Sequence, residues 1–257
     1  MTGGTFTKTY ATEAERVRAQ HNHEWLSHHA APMTVPPITG SGPGKLTFAW
    51  TDGRHAEPRD LEQLARHLGA CHEAAWRSTL HKARLTTAYV SDGHVLASFI
   101  GPRATALCER FRVGYVASAQ ALDATLALLH RTADRPAAFY KDTNPRNILI
   151  PASGPPVTVD TDDLTLAPFA YDLAKLVVTL SMTYGQLPVA LIDRALTAYN
   201  TAAAAHHARL GEITLTQLME YAELHGILTA PYVGRGGYRR PWPHVRPTPT
   251  PRSPTCP

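Results

Sequence analysis

The sequence predicts an α+β fold in which a small strand-containing N-terminal lobe precedes a larger, mainly helical C-terminal lobe. Residues 5–10 and 45–50 are short segments rich in Thr, Phe and other strand-forming residues. From residue 60 onward, apolar residues recur at helical spacing instead. A segment rich in Pro and Arg follows residue 230. These observations divide the chain into a reduced N-terminal lobe (1–52), a helical lobe (53–230) and a tail (231–257).

The N-terminal lobe is predicted to hold two strands with a helix between them. Thr12 and Glu15 have the spacing of a capping box, so a helix is expected from there to about residue 29. The glycines in residues 40–44 are interpreted as a turn, because they lack the strand–loop–helix context of a phosphate-binding loop. Residues 51–55 are expected to form the hinge between the lobes.

Apolar periodicity predicts five helices in the helical lobe. They span about residues 60–80, 115–131, 171–184, 189–210 and 214–228. The tail has a composition that is more often disordered than folded, so no fixed structure is expected there.

Composition and charge exclude several classes of protein. Of the 257 residues, 44% are hydrophobic and 18% are charged, as in ordinary globular proteins. Much of the net charge of +4 lies in the tail, so no nucleic-acid partner is expected. No run of eighteen apolar residues occurs, so neither a signal peptide nor a membrane span is expected. The cysteines Cys71, Cys108 and Cys256 form no disulfide framework or zinc pattern, which favours a cytoplasmic location.

The most informative stretch is residues 139–150, which reads FYKDTNPRNILI, with VTVDTDD following at residues 157–163. Asp142 precedes Asn147 by five residues, and Asp160 follows thirteen residues later. Phosphoryl transfer needs one carboxylate to orient and deprotonate the attacking hydroxyl, and oxygen ligands to hold magnesium against nucleotide phosphates. Asp142 suits the first task, and Asn147 with Asp160 suits the second. Two short strands joined by a turn would carry the metal ligands toward one cleft.

These motifs resemble the catalytic core of the aminoglycoside phosphotransferase family. The family pattern is H-G-D-x-x-x-x-N, then a hydrophobic residue and D, then Y-D-L-A. This chain has its counterparts in Asp142 with Asn147, in Val159-Asp160 and in the tetrapeptide at 171–174, in the same order. The resemblance implies a two-lobed protein-kinase-like fold. It also implies Mg²⁺-dependent transfer of the γ-phosphoryl group of ATP or GTP to a hydroxyl of a small molecule.

The resemblance also assigns nucleotide-binding residues. Lys8 would be the strand lysine that grips the α- and β-phosphates, held by Glu24 of the next helix, with Glu13 and Glu15 as competing partners. Phe48 and Trp50, on the strand before the hinge, would belong to the nucleotide site. Only seven residues precede Lys8, so we expect a shortened N-terminal lobe without the usual glycine-rich loop.

The chain departs from the family pattern around the catalytic aspartate. Tyr140 replaces the family histidine and Lys141 replaces its glycine. Lys141 or Arg146 could stabilise charge on the phosphoryl group during transfer, or could merely pair with a surface carboxylate. The extra acids Asp162 and Asp163 are interpreted as a solvated turn, with assistance to the metal through a water molecule as the alternative for one of them. The aspartate of the Y-D-L-A motif, Asp172, is expected to tether the catalytic loop from inside.

The predicted function is phosphorylation of a small-molecule hydroxyl, most simply on an antibiotic in self-resistance or biosynthesis. One alternative is a metabolic kinase for a small alcohol such as choline or a sugar. Another is a nucleotide-binding pseudokinase, which the short lobe and the missing histidine suggest. We expect a monomer or a homodimer. The helices after Asp172 supply few acids, so a highly cationic aminoglycoside is not strongly favoured; these acids are Asp193, Glu212, Glu220 and Glu223.

Overall fold

A three-stranded antiparallel sheet and one helix build the N-terminal lobe of the computed structural model, which describes residues 4–248. The sheet order is β1-β3-β2, so the first strand pairs with the third. The elements are β1 (Thr5–Thr9), α1 (Glu13–His29), β2 (Ile38–Gly42) and β3 (Lys45–Ala49). The two predicted strands and the helix between them are confirmed, and β2 was not predicted.

The capping box of α1 is present as the sequence indicates. The Thr12 hydroxyl accepts a hydrogen bond from the Glu15 amide at 3.2 Å, and the Glu15 carboxylate accepts one from the Thr12 amide at 3.2 Å. Both bonds satisfy amides that have no partner inside the helix. The start of α1 is therefore fixed locally, by residues that the chain itself supplies at this point.

Seven helices surround the core of the C-terminal lobe. They are α2 (Leu61–Ser78), α3 (Ile100–Arg112), α4 (Ala119–Arg131), α5 (Tyr171–Tyr184), α6 (Val189–Ala203), α7 (Leu215–Thr229) and the short α8 (Trp242–Val245). The central helix, α5, is buried along almost its whole length, and it packs against α7, while α2 packs against α6. The five predicted helices exist, although α2, α4 and α6 are shorter than predicted. The chain after α6 turns back so closely that a Cβ on Gly211 would lie 2.3 Å from the Asn200 carbonyl oxygen.

Two small sheets in the helical lobe position the catalytic segment. Strand β7 (Ala137–Lys141) pairs antiparallel with β10 (Leu164–Pro168). Strand β8 (Ile148–Ile150) lies between β4 (Arg54–His55) and β9 (Val157–Thr158), also antiparallel. The hairpin predicted from the motif is thus confirmed, and β4 joins it to the hinge. A separate hairpin of β5 (Tyr89–Ser91) and β6 (His94–Leu96) lies before α3.

The prediction of a disordered tail is wrong for residues 231–248. Trp242 and Val245 are 97% buried in the same core as the helical lobe. The Trp242 ring packs so closely on α7 that a Cβ on Gly226 would lie 2.4 Å from its Cδ1. Arg246 forms two hydrogen bonds of 2.6 Å with Glu223. Composition predicted disorder because Pro and Arg dominate the segment, but the buried side chains of Trp242 and Val245 dock it on the helical lobe. Residues 249–257, which the same prediction covered, lie outside the described part of the chain.

No helix within residues 4–248 is both long enough and apolar enough to cross a membrane.

Because the tail is docked through the buried Trp242 side chain, removing that side chain should lower the stability of the protein. Trp242→Ala should lower the free energy of unfolding by about 3–5 kcal/mol, because a large buried ring is removed and a cavity remains. His244→Ala, on the same short helix but exposed, should change it by less than about 0.5 kcal/mol. Urea unfolding of both variants checks this. Equal midpoints for Trp242→Ala and the wild type would show that the segment does not dock.

Candidate active site

The loop after β7 is held in place from beneath by a buried aspartate of α5. Asp172 is fully buried, and its Oδ2 accepts the amide of Lys141 at 3.2 Å. The Thr143 hydroxyl donates to the Asp172 carbonyl oxygen at 3.1 Å. These two bonds flank Asp142 on both sides and fix the backbone that carries it. Asp172 therefore occupies the tethering position that the sequence indicates.

Asp142 makes an ion pair that the sequence reading missed. The Lys175 ammonium contacts Asp142 Oδ1 and donates to the Tyr140 hydroxyl at 2.8 Å. Burial acts to raise the pKa of Asp142, but the charge and hydrogen bond of Lys175 outweigh it, and the pKa lies below its usual value. Asp142 is thus a carboxylate at neutral pH. The available signal was a lysine in the otherwise apolar α5, three residues after Asp172.

Asn147 is brought against Asp142 by the turn between β7 and β8. Its Nδ2 donates to the Asp142 backbone carbonyl at 3.2 Å. The Asn144 amide donates to Asp142 Oδ1 at 3.2 Å, which tightens the same turn. Because the Asn147 amide nitrogen is engaged, its side-chain oxygen is the atom left to act as a ligand.

Asp160 faces Lys8 of β1 rather than lying free. Lys8 Nζ is 2.5 Å from Asp160 Oδ1 and 2.6 Å from Asp162 Oδ2. Asp160 has a left-handed backbone conformation with φ of 62°, which aspartate tolerates better than most residues and which is common at functional sites. Asp162 is an ion-pair partner of Lys8, so its interpretation as a solvated turn is wrong.

The predicted pair between Lys8 and Glu24 is not formed. Glu24 is exposed, and it accepts a hydrogen bond from Gln20 at 2.8 Å. Asn22 instead reaches the Asp160 segment: its buried amide donates to the carbonyl oxygens of Thr161 at 2.9 Å and of Asp162 at 2.7 Å. At 100° per residue, Glu24 lies on nearly the opposite side of α1 from Asn22.

The two cationic candidates lie in different environments. Lys141 is 99% buried, and its Nζ donates to the Val159 carbonyl oxygen at 2.6 Å. Burial lowers the pKa of Lys141 to about 8, although the carboxylates of Asp142, Asp160 and Asp172 oppose the shift. Lys141 therefore joins the catalytic loop to the Asp160 strand from inside, and a surface ion pair is excluded. Arg146 is exposed and packs against Gly237.

Two cavities are lined by neighbouring segments, which are joined where Lys141, beside Asp142, donates to the Val159 carbonyl oxygen, beside Asp160. The first, of about 530 Å³, lies beside the N-terminal sheet and the hinge, and its walls include Phe6, Lys8, Phe48, Trp50, Arg146 and Asp160. The second, of about 500 Å³, lies among α3, α5 and α7, and its walls include Arg103, Tyr140, Asp142, Lys175, His225 and Tyr238. We call them the nucleotide cavity and the acceptor cavity. Phe48 and Trp50 thus lie in the cavity where the sequence resemblance expects a nucleotide.

The comparison with family models decides the classification. The model of the APH phosphotransferase enzyme family matches residues 6–213. The chain belongs to the APH phosphotransferase family. It is therefore a phosphotransferase that acts on a hydroxyl acceptor, and its family uses a nucleotide and a divalent metal. A search of the curated proteins found no match.

Solved structures share the fold of this phosphotransferase at low sequence identity. Choline kinase LicA from Streptococcus pneumoniae is 12% identical with a TM-score of 0.58, over 90% of this chain and 76% of that one. Macrolide 2'-phosphotransferase MphH from Brachybacterium faecium is 16% identical with a TM-score of 0.56, over 96% and 86%. Amicoumacin kinase hAmiN, in complex with AMP-PNP and Ca²⁺, is 14% identical with a TM-score of 0.58, over 89% and 73%. These likenesses establish the protein-kinase-like fold.

The donor atoms at the junction of the cavities suit a hard divalent cation of the kind this phosphotransferase family uses. Magnesium is commonly bound by one or two carboxylates together with substrate phosphates, without a complete protein cage. Asp160 supplies a carboxylate and Asn147 a carbonyl oxygen, both hard ligands. Within residues 4–248 no cluster of three or more His, Cys, Asp or Glu side chains forms a metal site. The arrangement therefore fits a metal that the nucleotide phosphates help to hold.

The Lys175 contact predicts that Asp142 becomes a stronger base without it. In Lys175→Met the pKa of Asp142 should rise, because burial would then act without the opposing charge and hydrogen bond of the ammonium. NMR titration of the Asp142 carboxyl carbon measures the shift. Lys45→Met, which removes an exposed lysine of β3, should leave that titration unchanged. An unchanged pKa in Lys175→Met would exclude the ion pair as its cause.

Proposed function

We propose that the chain transfers the γ-phosphoryl group of ATP or GTP, with Mg²⁺, to a hydroxyl of a small molecule. The observation that carries the proposal is a short set of contacts between the segments that line the two cavities. Asp142 lines the acceptor cavity and Asp160 lines the nucleotide cavity. The residues next to them are joined, because Lys141 Nζ donates to the Val159 carbonyl oxygen at 2.6 Å and the Val159 amide donates to the Asn147 carbonyl oxygen at 2.9 Å. A donor phosphate and an acceptor hydroxyl would thus approach each other across this junction.

Asp142 is proposed as the group that orients the acceptor hydroxyl and takes its proton. Its lowered pKa keeps it ionised at neutral pH, so that it can accept a hydrogen bond from the hydroxyl. Lys175 and the Asn144 amide fix the direction of the carboxylate. Such pre-orientation is a major part of catalysis of phosphoryl transfer.

Lys8, Asn147 and Asp160 are proposed to serve the donor nucleotide. Lys8 contacts Asp160 at 2.5 Å, lines the same cavity and would hold phosphate oxygens when they enter it. A bound Mg²⁺ would neutralise phosphate charge, with Asn147 and Asp160 as its protein ligands. Phe48 and Trp50 would contact the base, and Arg146, at the edge of the same cavity, could reach the phosphates.

An antibiotic acceptor in self-resistance or biosynthesis remains the proposed biological setting, and a cytoplasmic location follows from the scattered cysteines. The printed names of macrolide and amicoumacin phosphotransferases among the structural neighbours support an antibiotic, while a choline kinase among them supports including small alcohols in any test.

The proposal predicts that Asp142→Asn loses phosphoryl transfer. The substitution removes the base with little change in volume, so the rate should fall by about 10²–10⁴-fold while the circular dichroism spectrum is unchanged. The assay follows release of ADP or GDP with Mg²⁺ over a panel of antibiotics and small alcohols. As a matched control, Asp123→Asn on α4 should retain activity. Equal turnover in Asp142→Asn and wild type would overturn the role of Asp142.

A second prediction concerns the metal ligand. Asp160→Asn should weaken nucleotide binding in the presence of Mg²⁺ and have little effect without it, because the lost carboxylate acts through the metal. Binding of a fluorescent nucleotide with and without Mg²⁺ gives both affinities. If the ratio of the two affinities is the same in Asp160→Asn and wild type, Asp160 is not a ligand. Absence of any nucleotide binding by the wild type would favour a protein that has lost the function.

A further inference from the structure

The acceptor cavity contains arginines that the proposed chemistry does not use. Arg103 and Arg110 line it from α3, together with Ala106 between them. Their spacing of three and four residues places all three on one face of the helix, which is turned toward the cavity. Arg235, from the segment after α7, lines the same cavity. Three arginines therefore line a space of about 500 Å³, and the Arg110 guanidinium donates to the Leu228 carbonyl oxygen at 3.4 Å.

Arg103 is buried without an opposite charge. The residue is 91% buried. Its guanidinium lies 4.1 Å from the ring centroid of Phe99 and 5.0 Å from that of Tyr171. It donates to the Phe99 carbonyl oxygen at 3.3 Å and forms a side-chain hydrogen bond with Tyr171. No carboxylate in residues 4–248 forms an ion pair with it. Guanidinium carries five N–H donors and keeps its charge in proteins, so most of its binding capacity is unused.

The other charged groups of this cavity do not neutralise Arg103. Asp142 is engaged by Lys175. Asp163 forms no ion pair among the described residues, and burial together with the nearby carboxylates raises its pKa. His225 is buried, and burial together with the charges of Lys175 and Arg103 holds its pKa well below its usual value, so it is neutral.

The acids that could have suited a cationic acceptor are directed elsewhere. Glu223 pairs with Arg246 at 2.6 Å, and Glu220 faces Arg131 at 3.7 Å. The walls of the acceptor cavity contain neither of them, nor Asp193 or Glu212. The side of the cavity formed by α3 is thus positively charged, the opposite of what a polyamine-like acceptor needs.

We propose that Arg103, supported by Arg110, binds an oxyanion of the acceptor, either a carboxylate or a phosphate group. Planar guanidinium binds both groups through paired hydrogen bonds. Arg103 and Lys175 lie 5.0 Å and 4.9 Å from the centroid of the same Tyr140 ring, so the anion would bind in the part of the cavity that also contains the Asp142 pair. The acceptor, an antibiotic included, therefore carries a carboxylate or a phosphate ester close to the hydroxyl that is phosphorylated. This assignment rests on the phosphotransfer function proposed above.

The test titrates inorganic phosphate and, separately, acetate into the metal-free protein at constant ionic strength. Binding is followed by NMR through the arginine Nε–H signals. Arg103→Gln should weaken binding of the anion by at least about tenfold, because charge-assisted hydrogen bonds are lost. Arg112→Gln is the matched control, since Arg112 lies on the same helix but pairs with Glu109 at the surface. Preference for phosphate over acetate, or the reverse, identifies the anion class.

Lys8→Met separates this site from the nucleotide cavity. If anions bind beside Arg103, Lys8→Met retains their binding and Arg103→Gln loses it. The proposal would be overturned if Lys8→Met lost anion binding while Arg103→Gln kept it. It would also be overturned if Arg103→Gln bound the anion as tightly as the wild type, or if the wild type bound no anion.

Nucleotide binding with Mg²⁺, measured on the same samples, tests the phosphotransfer function independently. The wild type could bind the anion through Arg103 and yet bind no nucleotide. That result would support the anion site and contradict the proposed phosphotransfer function. In the transfer assay, a hydroxy acid should be a better acceptor than its amide, and a preference for the amide would count against the role of Arg103.

Discussion

The first turn of α5 is the constraint on which the proposed site depends. Asp172 and Lys175 are three residues apart and therefore lie on the same face of this helix. Asp172 fixes the backbone on both sides of Asp142, and Lys175 contacts the Asp142 carboxylate itself. Because α5 is enclosed by the core along nearly its whole length, neither contact can shift without disturbing the packing of the lobe. Position and direction of the proposed base are thus set by one buried turn.

A second layer of buried polar groups holds that turn in place. The Tyr199 hydroxyl accepts the Ala170 amide at 2.7 Å and shares a second hydrogen bond of 2.7 Å with His72 Nδ1. His72 Nε2 lies 3.6 Å from Asp172 Oδ2, which places it next to the buried carboxylate without a hydrogen bond. Helices α2 and α6 thereby contact the start of α5 through hydrogen bonds as well as apolar packing. Directional buried hydrogen bonds of this kind favour one arrangement over alternatives.

In the N-terminal lobe, the sequence predicted the local elements but not the contacts between them. The strand, the capped helix and the position of Lys8 followed from local signals, because capping boxes and alternation act over a few residues. The partner of Lys8 did not, since the choice between Glu24 and the two aspartates depends on how α1 is rotated against the Asp160 segment. The position of Asn22 on the buried face of α1, between Ala19 and Leu26, was the usable signal.

The sequence by itself determined the family, the fold class and the spacing of Asp142, Asn147 and Asp160, because that motif is contiguous and its spacing is set by one turn and one hairpin. Tertiary structure alone decided what surrounds it. Lys175 reaches Asp142 from another helix, and Arg103 comes from α3, which no pattern in the sequence had indicated. Such neighbours are brought together by core packing between residues far apart in the chain, and packing partners cannot be derived from local spacing.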